Sequence, residues 1–165
     1  MYMATKYIID YQGIDFRKHP EKYKIGRGEQ GVLMAEPYKS EILPYWKFRT
    51  PEIATQSAEK IYTLFKAYLA QNDFVGADMA RKFLQMGWTR ARRYANHPSG
   101  KKHDAKQKVI AQDSQALTSD KAQSAAIFKD YYDRARQDKE YLALKKLHLQ
   151  IQTNSPKPKH QTATD

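Results

Sequence analysis

Thr50–His97 reads TPEIATQSAEKIYTLFKAYLAQNDFVGADMARKFLQMGWTRARRYANH, and its spacing decides the fold. Thr50 is a good N-cap, Pro51 suits the first helical position, and Glu52 complements the positive end of the helix dipole. Ile53, Ser57, Ile61, Leu64, Phe65 and Tyr68 then recur at helical spacing, which predicts a helix ending near Gln71-Asn72. Asp73 can cap a second helix, with Phe74, Ala77, Ala80, Phe83, Leu84 and Met86 on its apolar face. Gly87 stands where that helix would end or bend, and Trp88 to Tyr94 would add another turn or two.

Outward from this pair, a third helical region is predicted from about Ser119 to Gln150, capped by Ser119 or Asp120. Its apolar residues are Ala122, Ala126, Tyr131, Ala135, Leu142, Leu144 and Leu147. The period drifts near Arg136-Gln137-Asp138, so two helices or one bent helix fit equally well. Residues 1–49 are rich in turn formers and aromatics. A short strand at Tyr7–Tyr11, a hairpin or tight loop around Gly26–Gly31 and a helical turn at Tyr38–Leu43 are expected there. Thr153–Asp165 has no large apolar residue and reads as disordered. The expected architecture is mainly α: one basic domain over residues 1–150 with three to five helices, an irregular N-terminal third and a disordered tail over 151–165.

Composition narrows the chemistry. The 165 residues contain no cysteine, which excludes disulfides, thiolate zinc sites, iron–sulfur clusters and cysteine nucleophiles. No apolar run approaches the roughly 20 residues needed to span a bilayer, and the N-terminus lacks the pattern of a secretion signal. A cytoplasmic location and no membrane partner are expected. His19, His97, His103, His148 and His160 are scattered without ligand spacing, so neither a metal nor a cofactor is expected.

The formal net charge is +11 and it is concentrated. Gly76–Lys108 holds nine Lys and Arg (Arg81, Lys82, Arg90, Arg92, Arg93, Lys101, Lys102, Lys106, Lys108) against Asp78 and Asp104, a net +7. Such clustering, with Trp88 and Tyr94 among the arginines, points to a polyanionic partner. In Trp88-Thr89-Arg90-Ala91-Arg92-Arg93-Tyr94, a helix puts Arg90 and Arg93 on one face and offsets Arg92 from Arg90 by about 200°. Guanidinium groups bind phosphates bidentately, and the two aromatic rings can stack on exposed bases. The competing reading makes Trp88 and Tyr94 core residues and pairs the arginines internally.

Gly26-Arg27-Gly28-Glu29-Gln30-Gly31 matches G-x-G-x-x-G, whose amides can cradle a phosphate at a helix start. Its context is poor for a nucleotide fold: Pro37 prevents a long following helix, and no kinase motif appears elsewhere. A tight glycine turn is the plain alternative, and a small anion nest around Gly26, Arg27, Gly28, Gly31 and Lys39 the intermediate one. The aromatic segment Pro37–Phe48 either lines a cleft beside this loop or packs over the helices. Glu29, Glu36 and Glu41 are the acid/base candidates of an enzyme reading.

Ile25–Leu33 (IGRGEQGVL), Glu36–Pro44 (EPYKSEILP), Thr50–Ala54 (TPEIA) and Phe74–His97 (FVGADMARKFLQMGWTRARRYANH) resemble a family of small proteins from bacteria, fungi and phages. That family is catalogued as a domain of unknown function, and its members are often called cytoplasmic proteins. The resemblance covers roughly residues 7 to 103. It implies a single domain and a cytoplasmic location, and it assigns no reaction, ligand or catalytic residue.

The leading expectation is a nucleic-acid-binding protein, with Arg81, Arg90, Arg92, Arg93, Lys101 and Lys102 on phosphates and Trp88 or Tyr94 on a base. The alternative is an enzyme for a small anionic or nucleotide-like substrate at the glycine loop. A third is an interaction adaptor that uses an apolar stripe of the 119–150 region. A flat positive face favours the first, and a concave pocket joining the glycine loop to the arginine segment favours the second.

Overall fold

Thr50 caps the second helix as its position predicts: its Oγ1 accepts a hydrogen bond from the Ile53 amide at 3.2 Å. The computed structural model describes residues 11–26, 34–97, 106, 111 and 119–154. Among them are five α-helices: α1 (Tyr38–Ile42), α2 (Pro51–Ala70), α3 (Phe74–Asn96), α4 (Asp120–Gln137) and α5 (Lys139–Asn154). Short 3-10 turns lie at Pro20–Lys22 and Leu43–Tyr45. The fold is mainly helical. Among the described residues there is no strand, only an isolated parallel bridge between Asp15 and Glu36. The hairpin expected near Gly26–Gly31 and the strand expected at Tyr7–Tyr11 lie mostly outside the described residues.

Local chemistry sets the helix ends. Asn72, at φ 56°, closes α2. Its amide donates to the Leu69 carbonyl and that of Asp73 to the Tyr68 carbonyl, the paired bonds of a Schellman ending. Asp73 then turns donor-satisfier for the next helix, accepting from the Gly76 amide at 3.1 Å. Ser119 caps α4 through the Ala122 amide at 3.2 Å. At the drift in period the chain breaks into two helices. Asp138 adopts an extended conformation and its carboxylate caps α5 through the Tyr141 amide at 2.9 Å. Helix α5 continues through Asn154, so the first four residues of the expected tail are helical, and the rest of that tail lies outside the described residues.

Helix α3 passes through Gly87 without ending. The glycine is there for a neighbour: a Cβ at Gly87 would sit 2.3 Å from Cδ1 of Phe128 on α4. Helices α2, α3 and α4 pack on one another around Ile61, Phe65, Met79, Phe83, Leu84 and Phe128, all fully buried. Helix α5 closes one side with Tyr141 and His148. The N-terminal segment wraps the same side, burying Tyr11, Phe16 and Tyr23 as a group of edge-packed rings. Tyr38 and Ile42 are buried and Trp46 donates from Nε1 to the Phe83 carbonyl at 3.0 Å, so the Pro37–Phe48 segment packs over the helices.

No helix among the described residues is long and apolar enough to cross a membrane. Exposed apolar residues on α5 do not make one stripe. At about 100° per residue, Leu142 and Leu149 lie on one flank of the helix and Leu147 and Ile151 on the opposite flank, with buried Tyr141 and His148 between them.

Candidate nucleic-acid interface

The helical step of about 100° divides the arginine segment of α3 into two faces. Trp88 and Arg92 face α4. Trp88 stacks on Tyr132 with centroids 5.8 Å apart, and the Lys129 ammonium lies 5.0 Å from its ring. Arg92 is half-buried and directs Nη2 to the Ala122 carbonyl at 3.5 Å and Nη1 to Asn96 at 3.4 Å. Arg90, Arg93 and Tyr94 face solvent, with Tyr94 40% exposed.

Beside that exposed face runs the linker into α2. The Arg90 guanidinium lies 5.7 Å from the Trp46 ring, Trp46 packs edge-on against Phe48, and Phe48 lies 6.2 Å from Tyr94. Lys121, from the start of α4, sits 5.2 Å from Phe48 and 5.9 Å from Tyr94. Its Nζ also donates to the carbonyls of Phe48 and Arg49, pinning the linker. The result is a run of three rings, Trp46, Phe48 and Tyr94, flanked by the cations Arg90 and Lys121. Exposed Lys47 and Arg49 lie on the same linker. None of Lys47, Arg49, Arg90 and Arg93 forms a salt bridge among the described residues. Burial lowers the Lys121 ammonium below its ordinary range, and the neighbouring Arg49 charge lowers it further. The Asp120 carboxylate offsets part of that repulsion.

Arg81 belongs elsewhere. It is 8% exposed, and it donates from Nε to Asp78 at 2.8 Å and from Nη1 to Gln85 at 2.9 Å. Asp78 has no exposed surface and also accepts from the hydroxyls of Tyr23 and, at 2.6 Å, Tyr141. Lys82 Nζ lies 3.9 Å away, over the Tyr23 ring. Burial alone would raise the Asp78 carboxyl, but the Arg81 and Lys82 charges and the hydrogen bonds hold it down at about 2. Burial pushes the Lys82 ammonium down to about 8. Arg81, expected on phosphates, is thus paired internally with a carboxylate of its own helix. Asp78, folded, titrates below its ordinary value, so it contributes stability that is present above about pH 4 and lost as pH falls toward 2. Glu41, Asp133 and Asp138 act in the same direction. The urea midpoint is therefore expected to fall between pH 5 and roughly pH 2.5, and a flat acid limb would contradict the ionised Asp78.

Lys101, Lys102, Arg27, Gly28 and Gly31 lie outside the described residues. Gly26 and Lys39, expected around one anion nest, border different hollows: Gly26 adjoins Arg81, whereas Lys39 adjoins Tyr11 and Pro37. Of the acid/base candidates, Glu36 accepts from Ser40, Glu41 is clamped by both terminal nitrogens of Arg17 at 2.8 Å and by Tyr68, and Glu29 lies outside the described residues. Among the described residues no cluster of three acidic or histidine side chains could hold a metal ion. Lys121 and Arg49 carried no functional reading in the sequence, and Lys47 entered only as part of the Pro37–Phe48 segment. For Lys121 nothing local gives the signal, since its place depends on how α4 docks.

Residues 6–151 match the family described as Domain of unknown function (DUF4385), and the chain belongs to that family. The match extends past the residues whose resemblance is visible by eye and takes in α4 and most of α5. Comparison with curated proteins and with solved structures returned no match.

Proposed function

We propose that this member of the family is a cytoplasmic protein that binds nucleic acid through the surface formed by the exposed face of α3, the 46–49 linker and the start of α4. The observation that carries the reading is the exposure of Arg90 and Arg93, with no salt bridge among the described residues, beside three rings flanked by cations. Arg90, Arg93, Arg49 and Lys47 contact phosphates, releasing condensed counterions. Tyr94, the most exposed ring of the run, stacks on a base. Trp88 and Arg81 take no part, being engaged by α4 and by the buried Asp78 cluster. The lack of cysteine fits a reducing compartment.

Fluorescence anisotropy of labelled single- and double-stranded DNA and RNA, read across salt, tests it. The protein is expected to bind with micromolar affinity at about 50 mM salt and to weaken steeply as salt rises. In the Arg90→Ala/Arg93→Ala variant the log–log salt slope is expected to fall by about 2, or about 1 per lost phosphate contact. Both side chains are at the surface, so the variant's unfolding midpoint is expected to match wild type. Failure of every probe to bind at low salt, or an unchanged slope in the variant, would remove the proposal.

A further inference from the structure

A recess of about 460 Å³ lies beside Arg81, between α3, the α4–α5 junction and Gly26. Three of its lining side chains are charged, and all three are cations: Arg81 from α3, Arg136 from α4 and Lys145 from α5. Among the described residues no carboxylate lines it. Gln85 and Gln137 add amide groups, and Tyr132 and Tyr141 form an aromatic wall. Its lining is more polar than that of the hollow beside Lys39, and its size falls within the range of small-ligand pockets.

The three cations differ in how they are held. Arg81 is fixed by Asp78 and Gln85, with further N–H groups on its guanidinium. Arg136 is steered by Asp133 through Nε at 2.8 Å. Lys145 has no hydrogen-bond or ion-pair partner among the described residues. Arg81 and Arg136 each keep one carboxylate partner, Asp78 and Asp133, and neither carboxylate lines the recess. An entering anion meets three cationic donors from three helices, of which Lys145 alone lacks a counter-charge among the described residues. Two guanidinium groups match the geometry of a phosphate, and a phosphomonoester carries the near-double negative charge that three cations can neutralise.

We infer that this recess is a binding site for a small phosphomonoester, separate from the exposed face of α3. Arg81 and Arg136 form the oxyanion fork, Lys145 supplies the third charge, and the tyrosine wall accommodates the organic part of the ligand.

Calorimetry with inorganic phosphate, against sodium chloride at matched ionic strength, tests the site. The wild-type chain is expected to bind phosphate, and Arg136→Ala/Lys145→Ala to bind it at least about tenfold more weakly, since each lost charge-assisted hydrogen bond is worth more than one decade of affinity. Lys145→Gln, a gentler change, is expected to show a smaller loss in the same direction. Arg90→Ala/Arg93→Ala is expected to bind phosphate as wild type does. Equal phosphate affinity in wild type and in both recess variants, no phosphate heat beyond the chloride control, or loss of binding in the α3 surface variant instead would each overturn the assignment.

Discussion

Asp78→Ala is expected to cost roughly 3–5 kcal/mol and to lower the thermal midpoint by roughly 6–20 °C, the cost of breaking a buried ion pair from one side. Among the described residues the carboxylate is the only anion in a cluster that places Arg81, Lys82 and two tyrosine hydroxyls around it, and it has no exposed surface. Without it, two buried cations face each other. Against a total stability of about 5–15 kcal/mol, that loss leaves much of the chain near its unfolding threshold. Asp78→Asn keeps the shape but removes the charge and is expected to be nearly as damaging. Lys82→Met separates the effect of charge from that of polarity. It removes a desolvated cation whose ordinary value burial has already depressed, and it leaves Arg81 and both hydroxyls on Asp78. Its expected cost is about zero or a small gain, following the replacement of buried ion pairs by apolar groups. Calorimetric midpoints for the three variants check the ordering. If Asp78→Ala melts within a degree or so of wild type, the cluster is not the internal anchor described here.

Gly87→Ala is expected to destabilise by about 1–3 kcal/mol, although alanine is the better helix former by about 1 kcal/mol. The new methyl carbon would lie 2.3 Å from Cδ1 and 2.6 Å from Cγ and Cε1 of Phe128. That ring is fully buried, and its contacting atoms include the base of the ring, so it cannot swing clear; α3 and α4 must part. Gly87→Val is expected to be worse. Phe128→Leu is expected to relieve part of the clash, so the double variant Gly87→Ala/Phe128→Leu should be less damaged than the sum of the singles by about 1 kcal/mol. Urea unfolding of the four proteins checks this. Stabilisation by Gly87→Ala would mean that only propensity acts at this position.

The legible parts of this fold are those that act over three or four residues. Thr50, Asp73 and Ser119 are readable as caps because each satisfies an amide three positions on. The apolar spacing of α2 is readable because the core stripe is local to one helix. Gly87 misleads for the opposite reason: a glycine inside a helical pattern looks like an ending, and only the ring of Phe128, on another helix, shows its use. Asp78, Arg81 and Lys82 sit at the i, i+3 and i+4 spacing of an ordinary solvated helix face. Their burial is imposed by Tyr23 and Tyr141, 55 and 63 residues away in the chain. In the candidate interface, the one-turn spacing of Arg90 and Arg93 is readable and Tyr94 follows from it. The same helical wheel sends Trp88 and Arg92 to the opposite side, against α4. Lys121 enters only when α4 docks and its ammonium reaches the Phe48 and Arg49 carbonyls.

The central claim is that one particular surface meets the polyanion, and photo-cross-linking tests it most directly. A single-stranded oligonucleotide carrying a photoreactive base would be bound, irradiated and digested, and the adducts located by mass spectrometry. The account predicts adducts on Tyr94 and on the 46–49 linker, reduced by high salt and by Arg90→Ala/Arg93→Ala. Adducts confined to the α5 side of the molecule, or none from a bound oligonucleotide to either segment, would contradict it.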